Sequence, residues 1–246
     1  MILNVAAYHF AQLDEPGAIA ASLHAIADAG NVRGTILVAP EGVNLFLAGG
    51  EAEVGAVLEV LGDDARFAGM QVKRSWSRTQ PFLRLKCKVK PEIITFRRDG
   101  TAPLQARAPT VDPATLARWI EQGHDEAGKR VVLLDTRNRE EFAYGTFESA
   151  ITLPIDNFTE LPAALEPRRE ELVDATVVSF CTGGIRCEKA ALWLQADGMD
   201  NVVQLDGGIL GYFEQVGGYG FDGRCFVFDS RVALDPALQP LVDDAG

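Results

Sequence analysis

The chain has no uninterrupted run of about 18 apolar residues, although 47% of it is hydrophobic, so no membrane-spanning helix is expected. Its opening, MILNVAAYHFAQLDEPG, lacks the basic start and apolar centre of a secretory leader, which points to a cytoplasmic protein. Cysteine is scarce: Cys87, Cys181, Cys187 and Cys225 are widely spaced, unlike a disulfide framework, and reduced thiols are expected. No C-x-x-C pair is present, which argues against structural zinc. No G-x-G-x-x-G follows a strand, so the dinucleotide fingerprint is missing. Histidine is rarer still, with only His9, His24 and His124. His124 and Glu126 have the H-x-E spacing that opens a non-haem iron triad, but no suitable second histidine completes it. No metal site and no cofactor are identified from motifs.

Positive charge is also in short supply. The net charge of −12 by itself opposes binding to a polyanion. The distribution says otherwise. Residues 71–98 hold Lys73, Arg74, Arg78, Arg84, Lys86, Lys88, Lys90, Arg97 and Arg98 against the single acid Glu92, giving this stretch +8 and the remainder −20. An acidic protein that gathers its cations in one stretch can bind nucleic acid there. The plainer alternative is an edge strand guarded by lysines. Trp76, Phe82 and Phe96 interleave with the cations and offer faces for unstacked bases, or else serve the core.

What is present reads as two α/β patterns in series. ILNVAAYHF, GTILVAP, NLFLAG and MQVKRSW have strand character, and EPGAIAASLHAIADAG and EAEVGAVLEVLGD carry apolar residues at helical spacing. Their order is β-α-β-β-α-β, a ferredoxin-like unit over 1–78. Residues 79–110 read as a basic connector with several prolines and some strand character in CKVKPEIITF. From 111 to 217 the strands VVLLDTR, TVVSFC and VVQLDGG alternate with helical segments, which suits a buried parallel sheet. The tail, 218–246, offers one more strand in RCFVFDSRVAL.

The chemistry concentrates in SFCTGGIRCEKAALWL, residues 179–194. Cys181 closes an apolar strand, at the carboxyl end of a sheet where open α/β folds bind ligands. Thr182, Gly183, Gly184 and Ile185 let the backbone curl, and a tight loop at a helix start turns N–H groups and the helix dipole toward one point. Arg186 adds a positive charge. A thiol placed there has a depressed pKa and acts as a nucleophile or sulfur carrier. The competing reading is a buried strand-end cysteine before a glycine turn. Cys187 either resolves an oxidised Cys181 or caps and packs the helix. Cys87 and Cys225 read as packing residues.

CTGGIR followed by CEKA resembles the active loop of rhodanese domains, with Cys187 where serine is usual. LLDTRNREEFAYGTFESAITLP and LDGGILGY extend that resemblance over about 111–217. Rhodanese-like phosphatases have one more residue between cysteine and arginine, so this shorter loop favours sulfur or thiolate chemistry. GTILVAPEGVN, PFLRLKCKVKPEIIT and GRCFVFDSRVA, in order with these motifs, resemble the rhodanese-domain tRNA uridine hydroxylases. Leu45 and Phe46 replace small residues frequent in that family, and no cysteine-rich extension follows.

The resemblance implies an oxidoreductase that acts on the anticodon region of tRNA. It would hydroxylate carbon 5 of the wobble uridine with molecular oxygen as co-substrate and Cys181 as the essential residue. Asp135 and Arg137 are expected as an ion pair beneath the loop. Lys73, Arg74, Arg78, Arg84, Lys86 and Lys88 are the expected RNA contacts. In one chemical scheme the Cys181 thiolate adds to carbon 6 of uracil and makes carbon 5 nucleophilic. In another it carries a persulfide that supplies reducing equivalents. The alternatives are a sulfurtransferase with a persulfide on Cys181 and a non-catalytic RNA-binding adaptor.

Overall fold

A computed structural model describes residues 1–242 and shows two compact units, one of Met1–Thr95 with Phe228–Val232 and the stretch from Gln239, the other of Phe96–Val227 with Ala233–Leu238.

The first unit runs β1 (Ile2–Phe10), α1 (Pro16–Ala29), β2 (Arg33–Ala39), β3 (Gly42–Gly49), α2 (Glu51–Gly62), β4 (Val72–Ser77) and β5 (Leu85–Val89). The sheet order is β4-β1-β3-β2-β5, antiparallel except for β5, which pairs parallel with β2. This is the expected ferredoxin-like unit with a fifth strand at its edge. Period-two alternation turns Leu3, Val5, Ala7, Val43, Leu45, Leu47, Ile36 and Val38 to one face, where Leu23 and Ala27 of α1 and Val54, Val57 and Leu61 of α2 cover them. Side chains on the other face are tied by nearby chain. Asn44 Nδ2 donates to the Ile93 carbonyl (3.1 Å) and Gln80 Nε2 to that of Ala48 (3.0 Å). Arg231 Nη1 donates to Ser75 Oγ (2.7 Å), while its other nitrogens grip Asp229.

The second unit runs β6 (Thr110–Val111), α3 (Pro113–Gln122), β7 (Val131–Asp135), α4 (Arg139–Phe142), β8 (Gly145–Phe147), α5 (Leu161–Leu165), β9 (Thr176–Phe180), α6 (Ile185–Ala196), β10 (Val202–Leu205), α7 (Gly208–Gln215), β11 (Phe221–Gly223), β12 (Cys225–Phe226) and β13 (Ala233–Leu234). Its main sheet is parallel, in the order β6-β10-β9-β7. The inner strands are nearly all apolar because both faces are covered. α3 has the ends its sequence announces. Asp112 accepts from the Thr115 amide (3.0 Å), Pro113 opens the helix, and Gly123 closes it in the left-handed region.

Three expectations need adjustment. Within the stretch 79–110 the strand character of CKVK is realised as Leu85–Val89 in the first sheet, and the chain from Phe96 onward packs within the second unit instead of linking the two. The tail forms three short strands among the described residues, because β11 pairs with β8 and β12 with β13. Its last four residues, 243–246, lie outside the described residues. The helix foreseen around REEFAYG is a single turn.

Candidate active site

Cys181 follows β9 directly, and α6 begins four residues later. The turn between them needs glycine at Gly184, whose φ is +103°. It also needs glycine at Gly208, in α7. A Cβ there would stand 2.5 Å from the Cys181 carbonyl oxygen and 2.7 Å from the Gly184 nitrogen. That close approach lets α7 hold the loop. The amides of Ile209 and Leu210 donate to the carbonyls of Cys181 (2.9 Å) and Thr182 (3.0 Å).

The loop surrounds one sulfur. Cys181 is 1% exposed, and its Sγ accepts a hydrogen bond from the Gly184 amide at 3.2 Å. Burial pushes its pKa up. The Cys187 thiol, the Arg186 charge and the amides of Arg186 and Gly184 outweigh that and hold it at about 6. Cys187 moves the other way: burial and the neighbouring Cys181 sulfur push it well above the usual thiol range. Near neutral pH the pair is therefore one thiolate and one thiol.

Arg186 is itself buried and held from below. Its Nη1 and Nη2 each lie 2.8 Å from a carboxylate oxygen of Glu141. Glu141 Oε1 also accepts from the Asn138 amide (3.1 Å). A second buried pair lies alongside. Arg137 Nε and Nη2 donate to Asp135 (2.9 and 2.7 Å), Nη2 also reaches the Gly145 carbonyl, and Thr146 Oγ1 donates to Asp135 Oδ2 (2.8 Å). Asp135 thus has its full set of partners inside the structure, the expected ion pair.

Cys225 is closer to this centre than its sequence suggests. It is fully buried, and its thiol, pushed up to about 12 by burial, sits near Arg137 and the Thr182 hydroxyl. At neutral pH it remains a thiol. Glu141, Gly208 and Thr136 also belong to the centre and were not singled out for a role. For Glu141 the signal was its place one turn after DTRN. For Gly208 it was the GG doublet of LDGGIL.

The basic residues are divided. β4 and β5 lie at opposite edges of the first sheet, about 19 Å apart across four strand spacings. Cross-strand pairs share a face. Arg74 opposes Val5 and so lies on the helix-bearing face, while Lys73 opposes Ala6 on the other. Lys86 and Lys88 oppose Thr35 and Leu37, also on the face away from the helices. Arg78 and Arg84 are exposed between the two strands, and Arg97 and Arg98 belong to the second unit. The expectation of one gathered patch is therefore corrected to two sheet edges. Trp76 is 41% exposed, whereas Phe96 is buried and stacks on Phe158. His124 Nδ1 meets the Asp125 carbonyl (2.9 Å), Glu126 pairs with Arg118, and among the described residues no three metal-ligating side chains cluster.

A parallel sheet with a cysteine-centred glycine loop at its carboxyl end, joined to a ferredoxin-like unit, defines a two-domain rhodanese-like protein. Family models agree: residues 2–93 match a UPF0176 acylphosphatase like domain and 113–215 a rhodanese-like domain. A solved rhodanese-like domain from Anabaena is 20% identical, covering 47% of this chain and 79% of its own, with a TM-score of 0.38. A tRNA uridine(34) hydroxylase from Xanthomonas euvesicatoria is 63% identical, covering 99% of this chain and 98% of its own length. One from Xanthomonas campestris is 64% identical over 100% and 97%. The chain belongs to the tRNA uridine(34) hydroxylase family.

Proposed function

We propose that this chain is an oxidoreductase that hydroxylates carbon 5 of uridine 34 in tRNA, using molecular oxygen, with Cys181 as its nucleophile. It works in the cytoplasm and recognises the anticodon region. The observation that carries the chemical part is the Cys181 sulfur, held as a thiolate by Arg186, Cys187 and the loop amides. Uracil is electrophilic at carbon 6. A thiolate that adds there leaves carbon 5 enolate-like and able to take up oxygen. The base must leave its stack to reach a sulfur this deep. Lys73, Arg74, Arg78, Arg84, Lys86 and Lys88 bind the phosphates, with Trp76 as an exposed face for a base. Thr182, Gly183, Gly184, Ile185 and Arg186 shape the anion-binding loop, and Asp135 and Arg137 support it from within.

The test weighs nucleosides from total tRNA of cells lacking the gene, complemented with wild type or Cys181→Ala. Loss of 5-hydroxyuridine and its derivatives, restored by the wild type alone, is expected. Unchanged nucleosides, together with no product from purified protein, tRNA and oxygen, would sink the reading. Sulfur transfer from thiosulfate would then be the activity to measure.

A further inference from the structure

Replacing a C–H bond by C–OH with dioxygen consumes two electrons and two protons beyond those of the substrate, because the second oxygen atom must leave as water. The loop brings two buried sulfurs together, Cys181 and Cys187, six residues apart: Gly184 donates its amide to the Cys181 sulfur (3.2 Å) and accepts from the Cys187 amide at its carbonyl (3.0 Å), and each sulfur shifts the ionisation of the other. A pair of thiols closing to a disulfide releases two electrons and two protons.

The surroundings of Cys187 suit it to this role. It lies in the first turn of α6 with no exposure. Thr136 Oγ1, 3.7 Å from its sulfur, already donates its proton to the Phe180 carbonyl (3.0 Å). Ser179, another hydrogen-bond neighbour, donates to the Val203 carbonyl (3.2 Å). The two hydroxyls pull the Cys187 pKa down, but burial and the Cys181 sulfur outweigh them. The site therefore keeps a proton on Cys187 beside the Cys181 thiolate. The other two cysteines are placed differently. Cys87 lies in the first unit and donates to the Ala20 carbonyl, and Cys225 faces Thr182 and Arg137.

We propose that Cys181 and Cys187 form the internal reductant of the reaction, passing from dithiol to disulfide once per turnover. This rests on the hydroxylase reading above. The Cys181 thiolate adds to carbon 6, and carbon 5 takes up oxygen and a proton as a hydroperoxide. The Cys187 sulfur attacks the distal oxygen: an S–O bond forms, the O–O bond breaks, and the thiol proton passes to the oxygen left on carbon 5. The proton on carbon 5 and the Cys181 thiolate then leave, restoring the ring double bond of 5-hydroxyuridine. Cys181 attacks the Cys187 sulfenic acid, the S–S bond forms, and hydroxide leaves to become water. The sum is uridine, dioxygen and two thiols giving 5-hydroxyuridine, water and a disulfide. A dithiol reductant, small or protein-borne, must reopen the bond before the next cycle.

The experiment uses the full chain, reduced, freed of reductant without air, mixed with excess tRNA transcript carrying uridine 34, and then exposed to oxygen. The expected result is a burst of about one 5-hydroxyuridine per chain, with a matching amount of the Cys181–Cys187 disulfide in a peptide map. Added dithiothreitol should then restart turnover. Cys187→Ser, checked by circular dichroism for folding, should lose at least tenfold in the burst. Product formed by the wild type with both thiols still free would overturn the proposal while leaving the hydroxylase reading intact. A full burst from Cys187→Ser would do the same. No product from the wild type even with dithiothreitol present would remove both.

Discussion

At the scale of single residues, the centre is an argument about charge. The Cys181 thiolate is the reactive form, so kcat/KM should rise with pH through about 6 and then level off. Arg186→Gln removes the positive charge beside it and should move that limb upward by about one to two pH units. A pH–rate profile of the two proteins checks this, and coincident profiles would show that Arg186 does not set the thiolate. Because the folded thiol titrates below its unfolded value, its ionisation adds stability that is fully present above the unfolded pKa. That stability is lost as pH falls through about 6. Cys181→Ala should reduce hydroxylation roughly a thousandfold or more. Asp135 has a different task. It neutralises a guanidinium that is fully buried, so Asp135→Ala should cost about 3–5 kcal/mol by strandng the charge of Arg137. Urea unfolding measures that cost, and a loss under about 1 kcal/mol would mean that the pair does little for the fold.

At the scale of elements, the loop is precise because two helices grip it. Gly208→Ala would thrust a methyl into the Cys181 and Gly184 backbone, and α7 would have to give up the two hydrogen bonds its Ile209 and Leu210 amides donate to the loop. An expected loss of about 2 kcal/mol or more in unfolding free energy, with loss of hydroxylation, follows from the left-handed φ and the broken bonds. Unaltered stability would show that the approach is not tight. The same elements show which parts could be read in advance. Asp112, Pro113 and Gly123 bracket α3, and the apolar strands β7 and β9 declare a buried sheet, because those signals are local. Cys225 read as a packing residue. Its nearness to Thr182 depends on β12 pairing with β13 and packing near α4, contacts that no nearby residue encodes. Likewise LRLKCKVK alternates like an edge strand, but nothing in it names β2 as its partner.

At the scale of the molecule, the basic stretch matters because the rest of the chain is so acidic. The remaining residues carry −20 and repel tRNA at long range, so attraction depends on short-range phosphate contacts. The sheet topology sends those cations to two edges, which a linear reading of residues 71–98 cannot reveal, since strand order is a non-local property. An RNA that engages both edges must cross about 19 Å of sheet. Lys73→Ala with Arg74→Ala removes two cations from the β4 edge, and Lys86→Ala with Lys88→Ala removes two from β5. Each double variant should lower the slope of log affinity against log salt by about 1.4–1.8, at 0.7–0.9 per phosphate. The effects should add in the fourfold variant, because the edges lie farther apart than directly coupled sites. tRNA binding measured across a salt series decides the matter. Additivity supports one RNA laid over both edges. If one double variant already reaches the fourfold effect, the other edge does not touch RNA, and its lysines serve only to keep a sheet edge from pairing.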